Sequence, residues 1–133
     1  MQIVDTVVLL AFLDDNDPRF EKANAHVQTI SFRQDILVPS ATMLELDLEL
    51  KTHGVDDTAR AGIHERLARL IPSSRVLPLT SEVLGRAAEL SKTAKWRGSY
   101  FDTMIAATGL EYKADAAITT DRKFANLGLK ITF

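Results

Sequence analysis

Short apolar runs alternate along this chain with longer stretches in which apolar residues recur every three or four positions. The short runs predict buried strands and the longer stretches predict amphipathic helices. Ile3-Val4 opens the pattern, and Asp5-Thr6 caps a helix from Val7 to Leu13. Asp17-Pro18 is a second helix start, followed by Phe20, Ala23, Val27 and Ile30 on one face. Ile36-Leu37-Val38 is a strand closed by Pro39. Ser40 then caps a helix with Met43, Leu46 and Leu50 on one side and Glu45 and Glu49 on another, ended by Gly54. Asp56 to Leu70 is amphipathic and stops before Pro72. Arg75 to Leu79 predicts a strand, at a sheet edge because of Pro78. Thr80 or Ser81 opens a helix to about Ala94, and Phe101 to Tyr112 is helical. Ala116-Ala117-Ile118 and Leu129-Lys130-Ile131-Thr132 supply the last strands.

Strands alternating with helices predict an α/β fold: a three-layer α/β/α sandwich on a mostly parallel sheet of about five strands. The helical stretch between residues 40 and 72 forms a hairpin beside it. At 133 residues, one domain over 1–133 is expected. A net charge of −2 gives no global sign of a polyanion partner, although a local basic strip can still steer one. With no cysteine, disulfides, thiolate metal sites and a cysteine nucleophile are excluded. No apolar run approaches the roughly 20 residues that cross a bilayer, and the first residues lack the features of a signal peptide. A cytoplasmic protein is expected.

Four acidic residues fall where such a sheet gathers chemistry. Asp5, Glu45 and Asp121 follow strand-like runs, and all four, with Asp102, lie at or just beyond a helix start. The carboxyl ends of parallel strands share one edge, where ligands bind. Converging carboxylates need protons or cations, and an all-oxygen site suits Mg²⁺ or Mn²⁺. Each acid also has a local explanation. Asp5 reads as an N-cap, Asp102 as part of a Ser99-Tyr100-Phe101-Asp102 capping box, Asp121 as a loop aspartate bonding its own backbone, and Glu45 as part of a solvated face with Glu49. His26, His53 and His64 fit no metal-ligand spacing, and no nucleophile elbow or phosphate loop is present.

Ile3-Val4-Asp5-Thr6, the helical Glu45, Tyr100-Phe101-Asp102-Thr103-Met104-Ile105-Ala106-Ala107-Thr108 and Ile118-Thr119-Thr120-Asp121-Arg122-Lys123-Phe124 resemble, in order and spacing, the four motifs of PIN-domain ribonucleases. The small VapC-type toxins of toxin–antitoxin pairs are the nearest resemblance. It implies a metal-binding and catalytic quartet of Asp5, Glu45, Asp102 and Asp121, holding one or two Mg²⁺ or Mn²⁺ ions. It also implies endonucleolytic cleavage of RNA, a homodimer, and a small VapB-like antitoxin that covers the groove. Thr119 matches a hydroxyl residue often found two positions before the last aspartate. Where many relatives carry a further acidic residue after that aspartate, this chain has Arg122-Lys123.

Bound divalent ions lower the pKa of a water and polarise phosphoryl oxygens, which phosphodiester hydrolysis requires. Thr6 and Thr119 are expected to orient the carboxylates. Lys95, Trp96 and Arg97, with Arg122 and Lys123, are candidates for RNA contact, cations to phosphate and aromatic face to base. Trp96 reads equally as a core residue, and the cations as helix-end charges. The apolar-faced helices between residues 40 and 71 offer surfaces for a partner or for packing on the sheet. Two other functions fit a chain of this kind: a phosphoacceptor signalling domain, and a non-catalytic PIN-like binding module whose acids serve only as caps.

Overall fold

The computed structural model describes all 133 residues. Five strands form one sheet: β1 (Gln2–Val4), β2 (Ile36–Pro39), β3 (Val76–Leu77), β4 (Ala116–Ile118) and β5 (Lys130–Ile131), in the order β3-β2-β1-β4-β5. All four pairings are parallel, so the expected sheet is found without an antiparallel member. From β1 the chain builds outward through β2 to β3, then crosses to the other side for β4 and β5. Strand order therefore reverses between β1 and β4, and the carboxyl ends at such a reversal are where open α/β sheets leave a crevice.

Six α-helices accompany the strands: α1 (Thr6–Leu13), α2 (Phe20–Thr29), α3 (Ser40–Thr52), α4 (Asp57–Leu70), α5 (Ser81–Ser91) and α6 (Tyr100–Glu111). They cover both faces. One core joins Val8, Leu9 and Phe12 of α1 to Val27, Ile30, Leu46, Leu67 and Val4. The other joins Val83 and Leu90 of α5 to Met104, Ile105 and Ala106 of α6, with Trp96, Phe124 and Ile3. Ile3 and Val4 go to opposite cores because successive side chains of a strand point to opposite faces. A strand buried on both sides needs no polar alternation, which is why these strands read as plain apolar runs.

Helix α6 is buried from Thr103 to Gly109. Its small residues let it lie close to the sheet. A Cβ at Gly109 would come within 2.6 Å of Ile3 Cδ1, so a larger residue would have to push the end of that side chain aside.

The structure moves several predicted boundaries. Helix α2 starts at Phe20, not Pro18, because the Asp17 side chain accepts from the Arg19 backbone N–H at 2.8 Å and holds a turn there. Ser40 is no cap: it is the first helical residue, and its hydroxyl donates to the Leu77 carbonyl at 2.8 Å, tying α3 to β3. Strand β3 keeps only two residues, since Pro78 offers no N–H to a ladder. Helix α5 ends at Ser91 rather than Ala94. The hairpin is present as α3 and α4, but α3 also packs on α1 and α6, so it belongs to the body of the fold.

Candidate active site

Asp5 stands at the end of β1, one residue before α1, at the strand-order reversal. It is buried at 5% exposure. Its Oδ1 accepts from the Thr6 backbone N–H at 2.8 Å, so the predicted N-cap is present. Its Oδ2 accepts from the Thr119 hydroxyl, at the end of neighbouring β4, at 2.6 Å. That hydroxyl oxygen in turn accepts from the Asp121 backbone N–H at 2.9 Å. One threonine thus joins the ends of β1 and β4. Burial pushes the Asp5 carboxyl above its usual range. The bonds from Thr119 and Thr6 oppose the rise, and the charges of Asp102 and Asp121 add to it.

Glu45 and Asp102 arrive from α3 and α6. The Thr42 hydroxyl donates to the Val4 carbonyl at 2.8 Å, pinning the first turn of α3 to the end of β1 and setting Glu45 above Asp5. Asp102 is held by the capping box read from the sequence. Its backbone N–H donates to Ser99 Oγ at 3.2 Å, and its Oδ2 accepts from the Ser99 N–H at 3.4 Å. Carboxylate oxygens of Asp5, Glu45 and Asp102 all lie within 4.8 Å of one another. Burial raises the Glu45 pKa, and Asp102, Asp5 and Glu49 raise it further; the Thr6 side chain works in the opposite direction.

These side chains line a cleft of about 340 Å³ together with Thr6, Glu49 and Asp121. Thr6 is 2% exposed, and its hydroxyl faces the Glu45 carboxylate but stays outside hydrogen-bond geometry to it and to every other protein atom. A buried hydroxyl left this way is costly unless something else occupies the cleft. Three mutually close carboxylates, two of them with raised pKa values (Asp5 and Glu45), and an unpaired hydroxyl form an all-oxygen donor set, which fits a hard divalent cation. Residues of this chain that would hold it are Asp5, Glu45 and Asp102.

Asp121 lines the same cleft but stands apart from that triad. Its Oδ1 accepts from the Lys123 backbone N–H at 2.9 Å, and its Oδ2 lies 3.3 Å from Lys123 Nζ. The same ammonium is 3.6 Å from Asp102 Oδ2. Burial pulls the Lys123 pKa down, and the hydrogen bonds and charges of Asp121 and Asp102 outweigh it, so the net shift is upward.

Trp96 departs from its RNA-binding expectation. It is 3% exposed, its Nε1 donates to Thr103 Oγ1 at 2.7 Å, and its ring stands edge-on to Phe124 at 5.4 Å. A ring enclosed this way has no free face for a base. It anchors the loop before α6 instead. Lys95, Arg97 and Arg122 are exposed and available to a polyanion. Two members of the site were not singled out from sequence. Glu49 lies one helical turn from Glu45, a spacing that pointed to the same face. Thr42 acts through a bond to a strand 38 residues away, which no local pattern reveals.

The profile of the PIN domain family matches residues 3–130. The chain belongs to the PIN domain family. No curated protein matches this PIN domain in sequence. Among solved structures it is similar to FitAcB from Neisseria gonorrhoeae, with a TM-score of 0.75 at 22% identity over 100% of this chain and 97% of the other. VapC20 from Mycobacterium tuberculosis, a sarcin–ricin loop cleaving toxin, gives a TM-score of 0.75 at 19% identity, covering 99% and 98%. VapBC2 from Rickettsia felis, bound to a DNA fragment from its promoter, gives 0.71 at 11% identity, covering 98% and 96%. These likenesses show that the PIN fold extends over the whole chain. Membership of the family leaves the phosphoacceptor reading without support. No helix of this PIN domain is long and apolar enough to cross a membrane.

Proposed function

We propose that this PIN domain is a Mg²⁺- or Mn²⁺-dependent endoribonuclease, the toxin of a toxin–antitoxin pair, working in the cytoplasm as a homodimer under a VapB-like antitoxin. The observation that carries the reading is the convergence of Asp5, Glu45 and Asp102 beside the unpaired Thr6 hydroxyl, at the strand-order reversal of a PIN fold. Similarity in fold to a toxin that cleaves the sarcin–ricin loop, and to VapBC2, supports RNA as substrate and an antitoxin as partner. Leu44 and Leu48 of α3, at 50% and 48% exposure, support a protein contact on that helix.

A divalent ion held by Asp5, Glu45 and Asp102 would supply the positive charge that lowers the pKa of a water and polarises the scissile phosphate. Thr119 and the Thr6 N–H orient the Asp5 carboxylate, fixing the direction of its free lone pairs. Ser99 does the same for Asp102. Exposed Lys95, Arg97 and Arg122 attract the RNA backbone without reading its sequence. The competing reading, a binding module without activity, has the capping bonds of Asp5, Asp102 and Asp121 in its favour.

Cleavage of labelled single-stranded RNA with Mg²⁺, Mn²⁺ or EDTA separates the two. Cutting should require metal and disappear in Asp5→Asn and Asp102→Asn. If both variants fold and cut like the wild type, the catalytic reading is wrong. Metal at a hundredfold above Kd should also stabilise the fold by about 2.7 kcal/mol, seen as a rise in melting temperature.

A further inference from the structure

The feature of the cleft that its metal chemistry leaves unused is Lys123. A lysine at the rim of a nuclease cleft ordinarily points outward to attract phosphate. This one turns inward. Its ammonium lies 3.3 Å from Asp121 Oδ2 and 3.6 Å from Asp102 Oδ2, and the side chain is 39% exposed. The contact is built by the backbone around it. Asp121 caps the short 3₁₀ helix Arg122–Leu127 by accepting from the Lys123 N–H, and this places the lysine two residues beyond the aspartate it pairs with. Phe124, the next residue, is fully buried against Trp96 and fixes the segment.

We propose that Lys123 is a built-in counter-cation that takes the place of a second divalent ion, so that the site binds one metal per chain and presents the lysine ammonium as its other positive pole. The inference rests on the metal-dependent reading above. Asp5, Glu45 and Asp102 carry the ion, while Asp121 is a positioning residue that holds Lys123 rather than a ligand.

Charge balance favours this division. The five carboxylates that line the cleft, Glu49 included, need cations, and Lys123 supplies one beside Asp102 and Asp121. Asp102 and Asp121 already face the ammonium, so a second divalent ion drawing on them would have to approach that positive charge or displace it. Asp102 is the shared member, ligating through one side of its carboxylate and facing the ammonium with the other. A lysine is suited to this role because its ammonium is a compact point charge on a flexible stem, able to follow a phosphate oxygen as it gains charge.

Mn²⁺ titration of the RNA-free protein by calorimetry provides the test. Wild type should bind one Mn²⁺ per chain. Lys123→Gln removes the competing charge and should bind Mn²⁺ about tenfold more tightly or take up a second ion, and Lys123→Arg should keep the wild-type stoichiometry and affinity. Lys123→Met, which keeps the alkyl stem, serves as the second neutral variant if the glutamine does not fold. Two ions per wild-type chain, or a folded neutral variant with unchanged stoichiometry and affinity, would overturn the proposal even if wild type cleaves RNA. The expected shift in Mn²⁺ binding would sustain it even if no RNA substrate is found. Where cleavage is measurable, the neutral variants should raise KM for RNA more than they lower kcat.

Discussion

Asp5 directly follows β1, and Asp121 lies three residues past the end of β4, the parallel neighbour of β1. Each follows an apolar run, and each accepts a backbone N–H from the turn that begins beside it. Their surroundings then diverge. Asp5 is enclosed, bonded to Thr119, and faced by other carboxylates, so its charge is costly without a cation. Asp121 is on the rim with a lysine beside it, so its charge is already matched. The same local role in the backbone leaves one carboxylate facing other acids and the other paired with a cation. Burial and the nearest opposite charge decide which.

The sharpest way to break this contrast is to neutralise both aspartates in turn. Outer partners of metal ligands typically cost ten- to a hundredfold when lost, so Asp5→Asn, which removes a ligand, should cost more than about a hundredfold in RNA cleavage. Thr119→Val keeps the ligand but frees it from its hydroxyl, and the cleavage assay should fall by roughly ten- to a hundredfold. Asp121→Asn should cost less than about tenfold, below what outer partners of a metal usually cost. Equal losses in Asp5→Asn and Asp121→Asn would erase the distinction.

Melting experiments without metal examine the same contrast through pH. A carboxyl whose pKa is raised on folding binds more protons in the native state, so its contribution to stability is full below the unfolded value and is lost as pH rises through the folded one. Asp5 and Glu45 are both raised. Metal-free wild type should therefore melt below Asp5→Asn at neutral pH, with the gap closing as pH falls toward the ordinary carboxylate range. Added Mn²⁺ should reverse the order. A gap that stays constant with pH would mean that Asp5 carries no such strain. The smallest effect is expected at Trp96. Trp96→Phe removes the hydrogen bond to Thr103 at a cost of about 1 kcal/mol, and RNA affinity should be unchanged.

Most of the fold could be read from the sequence because strands buried on two faces leave unmistakable apolar runs, and because Asp5 and Ser99 are caps in the structure as in the sequence, with Thr80 the cap of the two residues offered there. Ser40 misled because a hydroxyl before a helix looks alike whether it bonds its own turn or a strand 37 positions away. The acidic triad was legible as a set of spacings. Lys123 was visible as a basic neighbour, but the direction of its side chain depends on where α6 brings Asp102. Trp96 lies in a loop without periodicity, so nothing local distinguished a stacking platform from a core residue.

The bond between Asp5 and Thr119 spans 114 positions. At the usual 5–20 residues per second of synthesis, the aspartate would exist for roughly 6 to 23 seconds before its threonine partner is made. β1, the central strand, likewise lacks its β4 neighbour for that interval. A nascent chain therefore carries its first carboxylate with only the Thr6 N–H to aim it until Thr119 is made. The aim of that carboxylate is tied to the topology: until β4 pairs with β1, the second oxygen of Asp5 has no partner.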